Sequence, residues 1–203
     1  MKCTRGYATA LTMLLGVMSS FYVQAVIGPE SDPNDVYWDD QFTLRGTNGT
    51  VHSVANGRSG NVYIGGDFDV AGNIAANSIA KWNASTSAWS ALGSGMNGWV
   101  RALAVDGLGN VYAGGSFTTA GGVTVNRVAK WNGTTWSALG TGVDSSVEAL
   151  AVDGDNVYAG GTFTLAGGVT VNGVAKWNGT AWSPLGSGTG GGVPYVYALA
   201  VDG

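Results

Sequence analysis

The chain has 203 residues, 35 of them glycine, with 11% charged residues and a formal net charge of −4. Scarce lysine and glutamate argue against long amphipathic helices, and eight Trp, eight Tyr and five Phe argue against disorder. No basic cluster exists, which excludes nucleic acid as an expected partner.

The first segment reads as a secretory signal. Lys2 and Arg5 precede an uncharged stretch whose apolar run spans residues 10–18, and Val23-Gln24-Ala25 places small residues at the −3 and −1 positions. The reading predicts a signal peptide over 1–25, cleavage after Ala25, and a secreted or cell-surface protein. The rival is an uncleaved anchor, since Gly6 to Ile27 carries no charge and ~20 residues span a bilayer. Threonines, serines and Gln24 favour cleavage, after which no stable membrane span is expected. The only cysteine, Cys3, lies in this segment, so the mature chain has no disulfide. Residues 26–37, with Gly28-Pro29 and Asp32-Pro33, form a polar lead-in.

From residue 38 the chain repeats itself. Asn61-Val62-Tyr63-Ile64-Gly65-Gly66-Asp67-Phe68 returns as Asn110 to Phe117 and again as Asn156 to Phe163. Each copy is followed by Ala-Lys-Trp-Asn, from Ala80, Ala129 and Ala175, and then by Trp-Ser-x-Leu-Gly, from Trp89, Trp136 and Trp182. First strands begin at Val51, Val100, Val147 and Val196, spacings of 49, 47 and 49 residues. A fixed period of this size marks one supersecondary unit stacked on its copies.

Each unit reads as four short strands. In the second they are Val100–Val105, Val111–Gly115, a stretch near Val125 to Trp131, and Trp136–Leu139. The turns at 106–110 and 132–135 carry Asp-Gly and Asn-Gly, which supply the positive φ of tight hairpins. Four antiparallel strands per unit describe a blade, so the fold class is an all-β propeller. Three whole blades are expected, at about 51–95, 100–142 and 147–188, within units of about 51–98, 100–146 and 147–195 and the start of another at 196–203. The chain ends at Val201-Asp202-Gly203, in register with Val105-Asp106-Gly107, so an incomplete propeller is expected. Ala102, Ala104, Ala149 and Ala151 suit a crowded innermost strand, and the repeating tryptophans suit packing between blades.

The string Gly-Gly, Val-Ala-Lys-Trp-Asn, Trp-Ser-x-Leu resembles the kelch repeat of galactose-oxidase-type propellers. The longer Gly-Gly-x-Phe-x-x-x-Gly-Gly-Val and Leu-Gly-x-Gly pattern is more similar still to repeats of bacterial secreted propeller proteins and of the extracellular propeller of fungal cortical cell-polarity markers. The resemblance covers about residues 38–203. It departs from kelch units in lacking a mid-repeat Arg and in having Lys-Trp-Asn where Tyr-Asp is common. It implies a propeller used for binding or scaffolding rather than one fixed reaction.

Catalytic candidates are few. His52 is the only histidine, so no multi-histidine metal site can form, and its alignment with Arg101, Glu148 and Tyr197 suggests a tolerant, solvent-facing position. Copper chemistry of the galactose-oxidase kind lacks its ligands here. Asp153, Asp155, Asp67 and Asp69 have calcium-like spacing, but no distal Glu follows, and a hairpin turn is the favoured explanation. Asn48, Asn83, Asn132 and Asn178 satisfy the N-glycosylation sequon in turns. The expectation is therefore no catalytic residue, no metal and no cofactor. Binding is expected on the face that varies between units: Asn97, Trp99, Asp144, Tyr195 and Tyr197, in or beside the connections between units. The favoured function is a secreted, non-catalytic module binding a protein or an extracellular polysaccharide. Alternatives are a lectin-like propeller using Trp99 and Tyr195, or part of a hydrolase or lyase whose active site lies in further blades.

Overall fold

The computed structural model describes residues 46–190 and 194–201; the predicted signal peptide, the lead-in and the aromatic strand before Gly46 lie outside the described residues. Three four-stranded antiparallel sheets follow one another in the chain. Blade one is β1 (Thr50–Asn56), β2 (Val62–Asp67), β5 (Ile79–Asn83) and β6 (Ala88–Ala91), with a small hairpin, β3 (Val70–Ala71) and β4 (Ile74–Ala75), between β2 and β5. Blade two is β7 (Val100–Val105), β8 (Val111–Gly115), β11 (Val128–Trp131) and β12 (Trp136–Ala138), with hairpin β9 (Thr119–Ala120) and β10 (Val123–Thr124). Blade three is β13 (Val147–Asp153), β14 (Asn156–Gly161), β17 (Val174–Trp177) and β18 (Trp182–Pro184), with hairpin β15 (Leu165–Ala166) and β16 (Val169–Thr170). The first strands β1, β7 and β13 lie side by side, as inner strands of a propeller must. The sheets do not close into a ring among the described residues. The one helical turn there is the three-residue Arg58–Gly60, and no described helix is long and apolar enough to cross a membrane.

Two expectations need correction. The third strand of blade two starts at Val128, not near Val125, and each connection between second and third strands holds an extra two-stranded hairpin. Two-residue strands leave no alternation to read, and Val125, buried in the connection, mimics a strand residue. At the tip, Gly121 and Gly122 both adopt positive φ, which lets the chain reverse in two residues.

The turns are held by side chains. Asp106 is buried and accepts hydrogen bonds from the Leu108 and Asn110 N–H groups, the Asn110 carboxamide and the Tyr112 hydroxyl. Burial pushes its pKa up, but these donors and nearby Lys130 outweigh it and hold the carboxyl below its usual range. Asn83, Asn132 and Asn178 each accept two backbone N–H bonds from the turn that follows.

Packing between blades comes from residues the repeat keeps. One core cluster joins Ile79 and Leu92 of blade one to Val100, Val111, Phe117 and Trp136 of blade two. A second joins Val128 and Leu139 of blade two to Val147, Val157, Phe163 and Trp182 of blade three. The buried Trp136 indole donates to the Leu92 carbonyl at 2.9 Å, and Trp182 donates to the Leu139 carbonyl at 2.7 Å. The second tryptophan of units two and three thus locks its blade onto the one before.

Candidate functional site

The site begins with a local irregularity. In each blade the pairing of the first two strands shifts register at one place: between Val51 and Ser53, Val100 and Ala102, and Val147 and Ala149. The extra residues are His52, Arg101 and Glu148. A bulge of this kind turns one side chain away from the regular alternation of the strand. The paired glycines make it possible. A Cβ on Gly66, Gly115 or Gly161 would collide with the carbonyl oxygen of Thr50, Trp99 or Ser146, so the second glycine of each pair admits the bulged strand.

Because the first strands lie side by side, the bulged residues form a row across the blades. Arg101 Nη1 lies 3.3 Å from Glu148 Oε2, an ion pair between neighbouring blades whose side chains are 31% and 14% exposed. The Arg101 guanidinium lies 5.2 Å from the ring centroid of Trp99, and the His52 ring lies 6.3 Å from it. Arg101 Nε is buried without a partner among the described residues. Trp99 is 44% exposed beside this row. Tyr197 holds the corresponding place after Glu148; it is 70% exposed and stacks on Tyr195, itself 59% exposed, at 6.0 Å. The position is solvent-exposed at His52, as expected, and partly exposed at Arg101 and Glu148, where each inner strand presents one bulged side chain.

The five expected binding residues divide into two groups. Trp99, Tyr195 and Tyr197 stand exposed with the bulge row. Asn97 and Asp144 do not vary in role from unit to unit. Asn97 Oδ1 accepts from the Thr118 and Thr119 N–H groups, and Asp144 Oδ1 from those of Thr164 and Leu165. Asn48 does the same for Asp69 and Val70 in blade one. Each pins the small hairpin of its blade, so its acceptor oxygen is occupied. His52, Arg101 and Glu148 align in the sequence as one position of differing charge, two residues before Val54, Leu103 and Leu150; the structure adds that each is bulged opposite a Gly-Gly pair. Among the described residues no group of three or more His, Cys, Asp or Glu side chains gathers as metal ligands would.

Four-stranded antiparallel blades at a fixed period, a shared row of inner-strand bulges and indole locks between neighbours define a β-propeller repeat protein. The sequence profile of the Rax2 C-terminal beta propeller domain matches residues 39–193, and the chain belongs to that family. A search of curated proteins returns no match.

Proposed function

We propose that this chain is a non-catalytic binding or scaffold module, exported by its N-terminal signal to the cell surface, and that its bulge rim engages a protein or cell-surface polymer. The family is related to a fungal polarity marker, which is consistent with a binding or scaffold module rather than one fixed reaction. The likeness to kelch-type and bacterial secreted repeats points the same way. One observation carries the reading: the residue that varies most in charge, the bulged one, sits in a constant frame, and at Arg101 and His52 it lies against the exposed Trp99. Exposed Trp and Tyr beside Arg is the composition of binding hot spots. The rim offers aromatic faces and an ion pair.

The test is surface binding by the full chain. Labelled protein is applied to cells of its own source, and the triple variant Trp99→Ala, Arg101→Ala, Tyr195→Ala is compared with the parent. Binding should fall at least about tenfold, the loss of a single ~1.4 kcal/mol contact or more. Equal binding by the variant would remove the rim from consideration. N-terminal sequencing of exported material should begin at Val26.

A further inference from the structure

At the end of the sheets opposite the rim, the turns between first and second strands gather with those between third and fourth. The two blade junctions differ there. Between blades two and three lies an open cavity of about 320 Å3. Tyr112, Lys130 and Ser137 of blade two form one wall, and Asp155, Trp177 and Asn178 of blade three the other. The Lys130 ammonium is held 5.4 Å from the Tyr112 ring centroid, and the Tyr112 hydroxyl is fixed by Asp106 at 3.3 Å. Lys130 is thus a positioned donor rather than a free surface arm.

Between blades one and two the corresponding place is crossed by a side chain. Arg58, in the turn after β1, reaches the turn of blade two: a Cβ on Gly109 would stand 3.2 Å from Arg58 Cδ. In blade two the residue aligned with Arg58 is Gly107, which sends nothing across. The turn that carries Gly109 in blade two carries Asp155 in blade three.

We propose that the cavity between blades two and three is a carbohydrate subsite that holds one neutral hexose ring, independently of the rim. A hexose has an apolar C–H face and a circumference of hydroxyls. Trp177 supplies an aromatic wall for the face. Asp155 accepts from hydroxyls, Lys130 donates to a ring or hydroxyl oxygen, and the Ser137 hydroxyl does either. Asp155 and, behind Tyr112, Asp106 offset the charge of Lys130, so the cavity offers no net positive charge to an anion. The volume lies at the low end of ligand clefts, ~300–1,000 Å3, which fits a single ring.

The experiment is a titration of the full chain with methyl α-glucoside, methyl β-galactoside and methyl α-mannoside, following the tryptophan indole N–H resonances of isotope-labelled protein. At least one glycoside should give a saturable shift with a Kd of ~1–10 mM, typical of a single small contact surface. Asp155→Ala, at an exposed position, should weaken it at least tenfold with an unchanged melting temperature. Gly107→Arg should abolish it by placing an arm across the cavity as Arg58 does; Gly107 has open space at its Cβ and no left-handed backbone, so it accepts a side chain. Trp99→Ala should leave the titration unchanged, which keeps this result separate from rim binding. No saturable shift with any glycoside, a shift that survives Asp155→Ala, or a shift with free amino acids in place of sugars would overturn the proposal.

Discussion

Single atoms decide the two most repeated residues of the chain. The first glycine of each pair faces the next blade: a Cβ on Gly114 would lie 2.5 Å from Val147 Cγ1, and one on Gly160 would lie 2.5 Å from Val196 Cγ1. Gly114→Ala should therefore destabilise by about 1–3 kcal/mol through overpacking, whereas Gly107→Ala should be close to neutral. Equal melting temperatures for the two would contradict this packing. Ala102 and Ala149, buried on the inner strands, should respond to leucine in the same range. Asp144 allows a test in pH. Burial raises its pKa, but the Leu165 N–H, the Thr164 hydroxyl and the Thr164 N–H outweigh that and hold it below the ordinary range. A lowered folded pKa adds stability that is complete above the unfolded value, near ~4, and is lost as pH falls through the folded value. Asp144→Asn should keep the two backbone bonds and donate to Thr164 as Asn97 donates to Thr118 at 2.8 Å. Its stability at neutral pH should change by less than ~0.5 kcal/mol. Its loss on acidification from about pH 5 to about pH 2 should be smaller than the parent's, as followed by thermal melts. An equal loss would mean Asp144 is not the group that titrates.

At the scale of the element, the fourth strands of blades two and three, β12 and β18, act as latches. Each carries a buried indole whose N–H is satisfied only by a carbonyl of the preceding blade. Trp136→Phe removes the indole donor, leaves the Leu92 carbonyl with the Gly95 N–H alone and opens space, and should cost about 1–3 kcal/mol. Trp89→Phe, in a strand whose indole is not among the buried residues, should cost less in the same denaturation assay. These latches were readable beforehand because tryptophan repeats at a fixed offset, as were the inner strands, whose apolar runs and glycine ends set their bounds. The hairpins β3–β4, β9–β10 and β15–β16 were not readable, since two residues per strand give no period and their glycines resemble any loop. The bulge row was hidden for a different reason. A bulge is a property of pairing between two strands, so aligning His52, Arg101 and Glu148 in one dimension shows a tolerant position but not that each is the extra residue of its ladder. Asn97 and Asp144 misled in the opposite sense: two chemically different residues in loops suggested variation, while both perform one acceptor function.

The blades are joined only through neighbours, so stability should be distributed along the array rather than fixed in one core. Blade two contributes to both clusters: Val111, Phe117 and Trp136 pack with blade one, and Tyr112, Val128 and Leu139 pack with blade three. Blade three has, on its far side, only the segment Pro194–Val201 among the described residues, with Val196 and Leu199 over Gly160 and Pro194 over Gly173. Opening β8 must therefore break two interfaces, whereas opening β14 breaks one interface and the contact of that segment. Opening free energy measured by native-state amide exchange tracks what is broken. Val111 and Ala113 should exchange more slowly than Val62 and Ile64 or Val157 and Ala159, and Trp136→Phe should raise exchange in β2 and β8 more than in β14. Protection that is uniform over β2, β8 and β14, and falls uniformly in Trp136→Phe, would instead describe one all-or-none unit in which no junction acts alone.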